Sequence, residues 1–135
     1  MSLLTWSSVF SVGVKDIDDQ HKKLVDLANQ LNDAMRAGHG KDVLGKVLNE
    51  LVDYTVYHFG FEEKLMDKHQ YPNQAAHKEE HKKLVQEVAA FKGKFDKGDA
   101  ALTSEIMNFL RDWLTKHILQ TDKLFGKDLN SKGVH

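Results

Sequence analysis

An all-α fold, an up-down-up-down antiparallel four-helix bundle with an N-terminal arm, is predicted by three features of the sequence. Apolar residues recur at helical spacing in four stretches, only a few residues separate one stretch from the next, and nothing alternates as a strand does. Connections that short force successive helices to lie antiparallel. At 135 residues, with 41% apolar and 29% charged side chains, the chain reads as one domain over residues 1–135.

Residues 1–16 form the arm, because Trp6, Val9, Phe10, Val12 and Val14 are too apolar for a free tail. The first helix, about 18–37, follows Leu24, Val25, Ala28, Leu31 and Met35 on from Ile17 and stops at Gly38-His39-Gly40. The second, about 41–67, carries Val43, Leu44, Val47, Leu48, Leu51, Thr55, Phe59, Leu65 and Met66. It ends before Tyr71-Pro72, since proline disfavours helical geometry in the residue before it. Asn73 is the expected N-cap of the third helix, about 73–97, whose stripe is Leu84, Val85, Val88, Phe91 and Phe95 and whose stop is Gly98. Asp99 caps the fourth, about 99–120, with Leu102, Ile106, Phe109, Leu110, Trp113 and Leu114, and an irregular continuation runs to about 129.

Composition excludes several classes of function. Nineteen basic against 20 acidic residues leave no broad cationic surface, so neither nucleic acid nor membrane is an expected partner. Without cysteine there is no disulfide, thiolate metal site or cysteine nucleophile, so any metal must be held by His, Asp and Glu. No apolar run approaches the roughly 20 residues that span a bilayer, and the first residues lack a signal peptide's pattern. The chain reads as cytoplasmic. Its unusual count is eight histidines.

Single histidine pairs prove little. About 0.5 HxxxH pairs are expected by chance from that many histidines, and His77 with His81 is one. The joint placement is more informative. The first two helices reverse near 39–40, which puts His21 and His58 each about 18 to 19 residues from the turn, at one height. The reversal near 70 brings His58 and Glu62 level with His77 and His81, and the reversal near 98 sets residue 79 opposite the stretch between His117 and Asp122. The histidines and Glu62 also continue the apolar stripes of their helices, so they point into the core. Asp122 lies five residues beyond His117, about 140° round an ideal helix. To bring it inward the fourth helix must widen, bend or unwind, and a π-type turn would do so.

Five imidazoles and two carboxylates in a core must be satisfied, and a metal centre does this better than a mutual hydrogen-bond network. Seven ligands exceed one tetrahedral zinc but suit two metals bridged by the carboxylates. Imidazole is compatible with Zn, Cu, Fe and Ni. The shell carries less negative charge than the Glu-rich shells of ferritin-like oxidases, which favours reversible binding over oxidation.

With these residues in view, the sequence resembles the hemerythrins, and among them the single-domain bacteriohemerythrins. The resemblance rests on Trp6, Ser11-Val12-Gly13-Val14, Ile17-Asp18-Asp19-Gln20-His21-Lys22-Lys23-Leu24, His58-Phe59-Gly60-Phe61-Glu62-Glu63, Met66, Tyr71-Pro72, His77, His81, Trp113-Leu114-Thr115-Lys116-His117-Ile118 and Asp122. It implies two non-heme iron ions with an oxo or hydroxo bridge. One is held by His77, His81 and His117, the other by His21 and His58, with Glu62 and Asp122 bridging. It also implies reversible dioxygen binding at the second iron, in a pocket walled by Trp113, Leu114 and Ile118. The expected role is an oxygen carrier, store or supply protein without catalytic turnover, a monomer that delivers oxygen to an oxygen-consuming enzyme. The alternatives are an oxygen or redox sensor domain, a di-iron peroxidase or oxidase, and a nitric-oxide-handling or iron-delivering protein. His39, His69 and His135 fall outside the layer and are expected to be dispensable. Gly60, inside the second helix, costs roughly 1 kcal/mol relative to Ala. It relieves crowding by Phe61 or the arm, opens a path for a small ligand, or loosens the helix at the metal.

Overall fold

A computed structural model of the chain describes residues 3–37, 41–97 and 102–135. The first long helix, α1 (Lys15–Arg36), starts three residues before the expected position. Asp18 explains the difference. Its carboxylate accepts hydrogen bonds from the Ser11 hydroxyl at 2.6 Å and the Val12 amide at 2.8 Å, tying the arm to the first helical turn. A carboxylate there also faces the positive end of the helix dipole. Helix α2 (Lys41–Lys68) turns into α3 (Gln74–Asp96) through Gln70, which adopts a left-handed φ of 52°. Asn73 stands at the N-cap of α3, but its side chain makes no capping bond; its backbone carbonyl accepts from the His77 amide. The fourth helical stretch comprises α4 (Leu102–Lys116), a π turn (His117–Asp122) and α5 (Lys123–Ser131). The expected turn at Gly38-His39-Gly40, the stop at Gly98 and the cap at Asp99 lie outside the described residues.

Helices adjacent in sequence pack together, and α1 also contacts α4, closing a four-helix bundle. No strand occurs among the described residues. The core has two parts. The larger joins Leu24, Leu31, Leu51, Phe59, Leu84 and Leu114, while the smaller joins Val12, Ile17, Met66, Ile118, Phe125 and Leu129. On α1 the buried residues between Ile17 and Leu24 are Gln20 and His21, and on α2 His58 and Glu62 lie between Leu51 and Met66. The polar layer is therefore sealed above and below by apolar side chains.

The arm provides part of the lower seal. Val12 and Val14 are buried, and Leu4 exchanges two backbone hydrogen bonds with the Asn29 side chain. Val9, expected to pack, is instead 57% exposed, because the 3-10 turn Ser8–Phe10 directs Phe10 against Trp6. Gly126 allows the arm to lie against α5: a Cβ there would stand 2.0 Å from the Val12 carbonyl oxygen. Gly126→Ala should push the arm off the bundle and destabilise the protein by at least the about 1–3 kcal/mol typical of overpacking. Thermal unfolding of the variant checks this, and an unchanged midpoint would show that the arm tolerates displacement.

Gly60 contrasts with it. Leaving aside its chain neighbours and its own helix backbone, a Cβ at Gly60 meets no heavy atom within 4 Å, so the arm does not crowd it. Gly60→Ala should raise stability by about 0.5–1 kcal/mol, the usual difference within a helix. A fall in the unfolding midpoint would point to a use of Gly60 in the groove between α2 and α3.

Candidate metal centre

His21 comes from α1, His58 and Glu62 from α2, His77 and His81 from α3, and His117 and Asp122 from the two ends of the π turn. All seven are at most 3% exposed. The π turn is what aligns the last pair: an i→i+5 repeat is wider than the α-helix and brings residues five apart to one face.

The seven residues form two sets whose ligand atoms lie within 4.8 Å of one another. One comprises Glu62, His77, His81, His117 and Asp122, the other His21, His58, Glu62 and Asp122, so both carboxylates belong to both sets. The Nε2 of His77 stands 2.8 Å from Asp122 Oδ1, that of His117 3.2 Å from the same oxygen, and that of His21 3.1 Å from Asp122 Oδ2. The Nε2 of His81 is 3.1 Å from Glu62 Oε1 and that of His58 is 3.5 Å from Glu62 Oε2. These are ion-contact distances without hydrogen-bond alignment, so all four carboxylate oxygens and the Nε2 atoms of His21, His77, His81 and His117 lack hydrogen-bond partners. Orphaned polar atoms at this density are costly in a core. Cations placed among them would satisfy donors that now converge without a partner.

The far sides of three rings reinforce this. His58 Nδ1 donates to Gln20 Oε1 at 2.6 Å, His81 Nδ1 to Glu63 Oε2 at 3.1 Å, and His117 Nδ1 to Glu80 Oε1 at 3.1 Å. These oxygens only accept, so Nδ1 carries a proton, and each ring in its neutral form presents its Nε2 lone pair to the centre, the tautomer a metal needs. Glu80 also accepts from the Thr121 hydroxyl at 3.0 Å, which anchors the π turn to α3. Two rings stack on the imidazoles: Phe59 on His81 at 3.8 Å and Trp113 on His117 at 4.3 Å.

Sequence reasoning missed Gln20, Glu63, Glu80 and Thr121. Each is the immediate neighbour of a candidate ligand in the chain, but the imidazole that Gln20, Glu63 or Glu80 supports belongs to a different helix, and Thr121 acts through Glu80. Adjacency to a ligand was the available signal; the pairing required the packed helices. His69 and His135 lie outside both ligand sets, and His39 lies outside the described residues.

Without metal, the layer balances its charge with protons. Burial, the largest influence on His21, opposes protonation, but Asp122 and Glu62 outweigh it and raise its pKa to about 9. Burial likewise opposes protonation of His117, and Asp122 with Glu80 and Glu62 raises it to about 10. Burial pushes His58 down to about 4. Burial and Asp122 disfavour charge on Glu62, yet the surrounding histidines hold its pKa at about 2; His117 does most to hold Asp122 well below the usual carboxylate range. The raised histidines stabilise the fold fully below their unfolded pKa of 6.5, and that contribution is lost as pH rises through about 9 to 10. The metal-free protein should therefore lose thermal stability between pH 6.5 and 10, whereas the loaded protein, whose imidazoles hold no such protons, should not. Parallel pH profiles for the two forms would refute this.

A family model described as the hemerythrin HHE cation binding domain matches residues 12–129. The chain belongs to the hemerythrin family. It is 42% identical over 132 residues to the bacteriohemerythrin of Methylococcus capsulatus, covering 97% of this chain and all of that protein. A bacteriohemerythrin of Stenotrophomonas maltophilia is 34% identical over 97% of this chain and 84% of its own length. The hemerythrin-like protein of Naegleria gruberi is 37% identical over 98% and 94%. A wild-type hemerythrin crystal structure superposes with a TM-score of 0.89 at 43% identity, covering 95% of this chain and 98% of that one. Like the hemerythrin it superposes on, this chain is a helical bundle, and no helix among the described residues is long and apolar enough to cross a membrane.

Proposed function

We propose that this hemerythrin-family chain binds dioxygen reversibly at a non-heme di-iron centre. His77, His81 and His117 would hold one iron, His21 and His58 the other, and Glu62 and Asp122 would bridge the two. The observation that carries this reading is the pair of ligand sets that share both carboxylates. A ferrous pair supplies two electrons that can be lent to dioxygen and recovered.

The chain's own residues prepare the site. Gln20, Glu63 and Glu80 lock three imidazoles with Nε2 inward. Three imidazoles to one side and two to the other leave the His21 and His58 side with fewer ligands, so that side would accept the oxygen. Leu114, 4% exposed, and Ile118, 1% exposed, belong to the apolar layers above and below and exclude water. Trp113 covers the outer face of His117.

Aerobically purified protein should contain two irons per chain, a number set by the two ligand sets. A single zinc would overturn the di-iron assignment. Stopped-flow mixing of the ferrous protein with oxygen should give one rapid spectral change that reverses under argon and recurs on re-exposure. Prompt decay with repeated consumption of oxygen or peroxide would make the protein an enzyme instead.

A further inference from the structure

The hydrogen bonds behind the imidazoles differ in charge between the two halves of the centre. In the His77, His81 and His117 half, two of the three rings donate Nδ1–H to carboxylates, Glu63 and Glu80. In the His21 and His58 half, the one such bond goes to the neutral amide of Gln20. Gln20 is only 8% exposed and makes its 2.6 Å bond inside the bundle, so it is a built contact. The side chain of Glu80, 44% exposed, turns inward to take both His117 Nδ1–H and the Thr121 hydroxyl. Glu63, whose side chain is 35% exposed, likewise reaches in to His81.

A carboxylate acceptor draws the Nδ1 proton toward itself and leaves negative charge on the ring, which makes Nε2 a stronger donor to a cation. A neutral amide does this less. We propose that Gln20, Glu63 and Glu80 are positioning residues that set the two metal subsites apart. The carboxylates make the His77, His81 and His117 subsite the tighter one and the better host for a more oxidised ion. Gln20 keeps the His21 and His58 subsite weaker and biased toward the reduced ion. This rests on the two-metal reading above and goes beyond it: difference in ligand number alone does not require the supporting residues to differ in charge.

The test is an anaerobic titration of metal-free protein with Co²⁺ against a competing chelator, followed in the visible ligand-field bands. Wild type should bind two ions in two resolved steps. Changing a hydrogen bond to a ligating histidine typically alters metal affinity by about 10–100-fold. Glu80→Gln should therefore weaken the tighter step by about tenfold or more and leave the weaker one in place. Glutamine keeps the shape of the half-exposed Glu80 side chain and an oxygen that can accept from His117 Nδ1, and far-UV circular dichroism checks that the variant is folded. Gln20→Glu should tighten the weaker step, so the two variants narrow the gap between the steps from opposite sides. The reduction potential of the iron-loaded protein should move positive in Glu80→Gln and negative in Gln20→Glu. If the ratio of the two Co²⁺ constants stays at its wild-type value in both variants, these residues only hold the rings in place and the inference fails. Wild-type protein that binds fewer than two Co²⁺ would overturn the two-metal reading itself.

Discussion

Glu62→Ala should leave a helical protein that retains neither iron, whereas His58→Ala should retain close to one. The difference follows from membership of the ligand sets: Glu62 belongs to both, His58 to one. Losing a direct ligand should exceed the roughly 10–100-fold cost of losing a supporting hydrogen bond, and at Glu62 both subsites take that loss together. The metal-free variant should also be less stable. Glu62 helps hold protons on His21 and His117 and is itself completely buried. Removing one member of a buried ion network typically costs about 3–5 kcal/mol. Iron per chain by plasma mass spectrometry, with far-UV circular dichroism to confirm the helices, decides the matter. Two irons retained in Glu62→Ala would mean that Glu62 does not bridge and that Asp122 alone links the subsites.

Much of the architecture was legible because an amphipathic helix writes its inward face into the spacing of its apolar residues. Leu24, Leu31, Leu51, Leu84, Leu110 and Leu114 all read as core from periodicity alone and are all buried. Element boundaries were less legible where a long-range contact decides them. The start of α1 depends on Asp18 bonding to an arm that periodicity treats separately, and Asn73 occupies an N-cap without using its side chain. Val9 reads as apolar and therefore packed, but a single 3-10 turn points it outward.

At the site, Asp122 was the residue most exposed to error, because five residues beyond His117 is the wrong face of an α-helix. Only the other six candidate residues, already converging on one height, drew Asp122 into the layer, and of the ways to turn it inward, widening, bending or unwinding, the structure has a π turn at His117–Asp122. The supporting bonds from Gln20, Glu63 and Glu80 were out of reach for the opposite reason. Each lies beside a candidate ligand in the chain yet serves a ring 18 to 38 residues away, and side-chain direction across an interface is not encoded in spacing.

Leu114→Ala should shorten the lifetime of the oxygenated state while leaving both irons bound. Leu114 lies three residues before His117 and packs in the main core with Leu24 and Phe59, close along their helices to His21 and His58. Truncating it removes no candidate ligand. It does remove a buried side chain, which typically costs about 2–5 kcal/mol and leaves a cavity beside the polar layer. Such a cavity next to ionised groups is polar enough to admit water, a proton source that would shorten the life of oxygen held there. The measurable outcome is faster decay of the oxygenated spectrum to the oxidised form at unchanged iron content. Leu114→Tyr tests the same wall from the other side, since it leaves no cavity but sets a hydroxyl, itself a proton donor, against the layer. If Leu114→Ala loses stability yet holds oxygen as long as wild type, water is excluded elsewhere. The neighbouring seal in the lower core, where Ile118 packs with Ile17 and Phe125, would then be the barrier that matters.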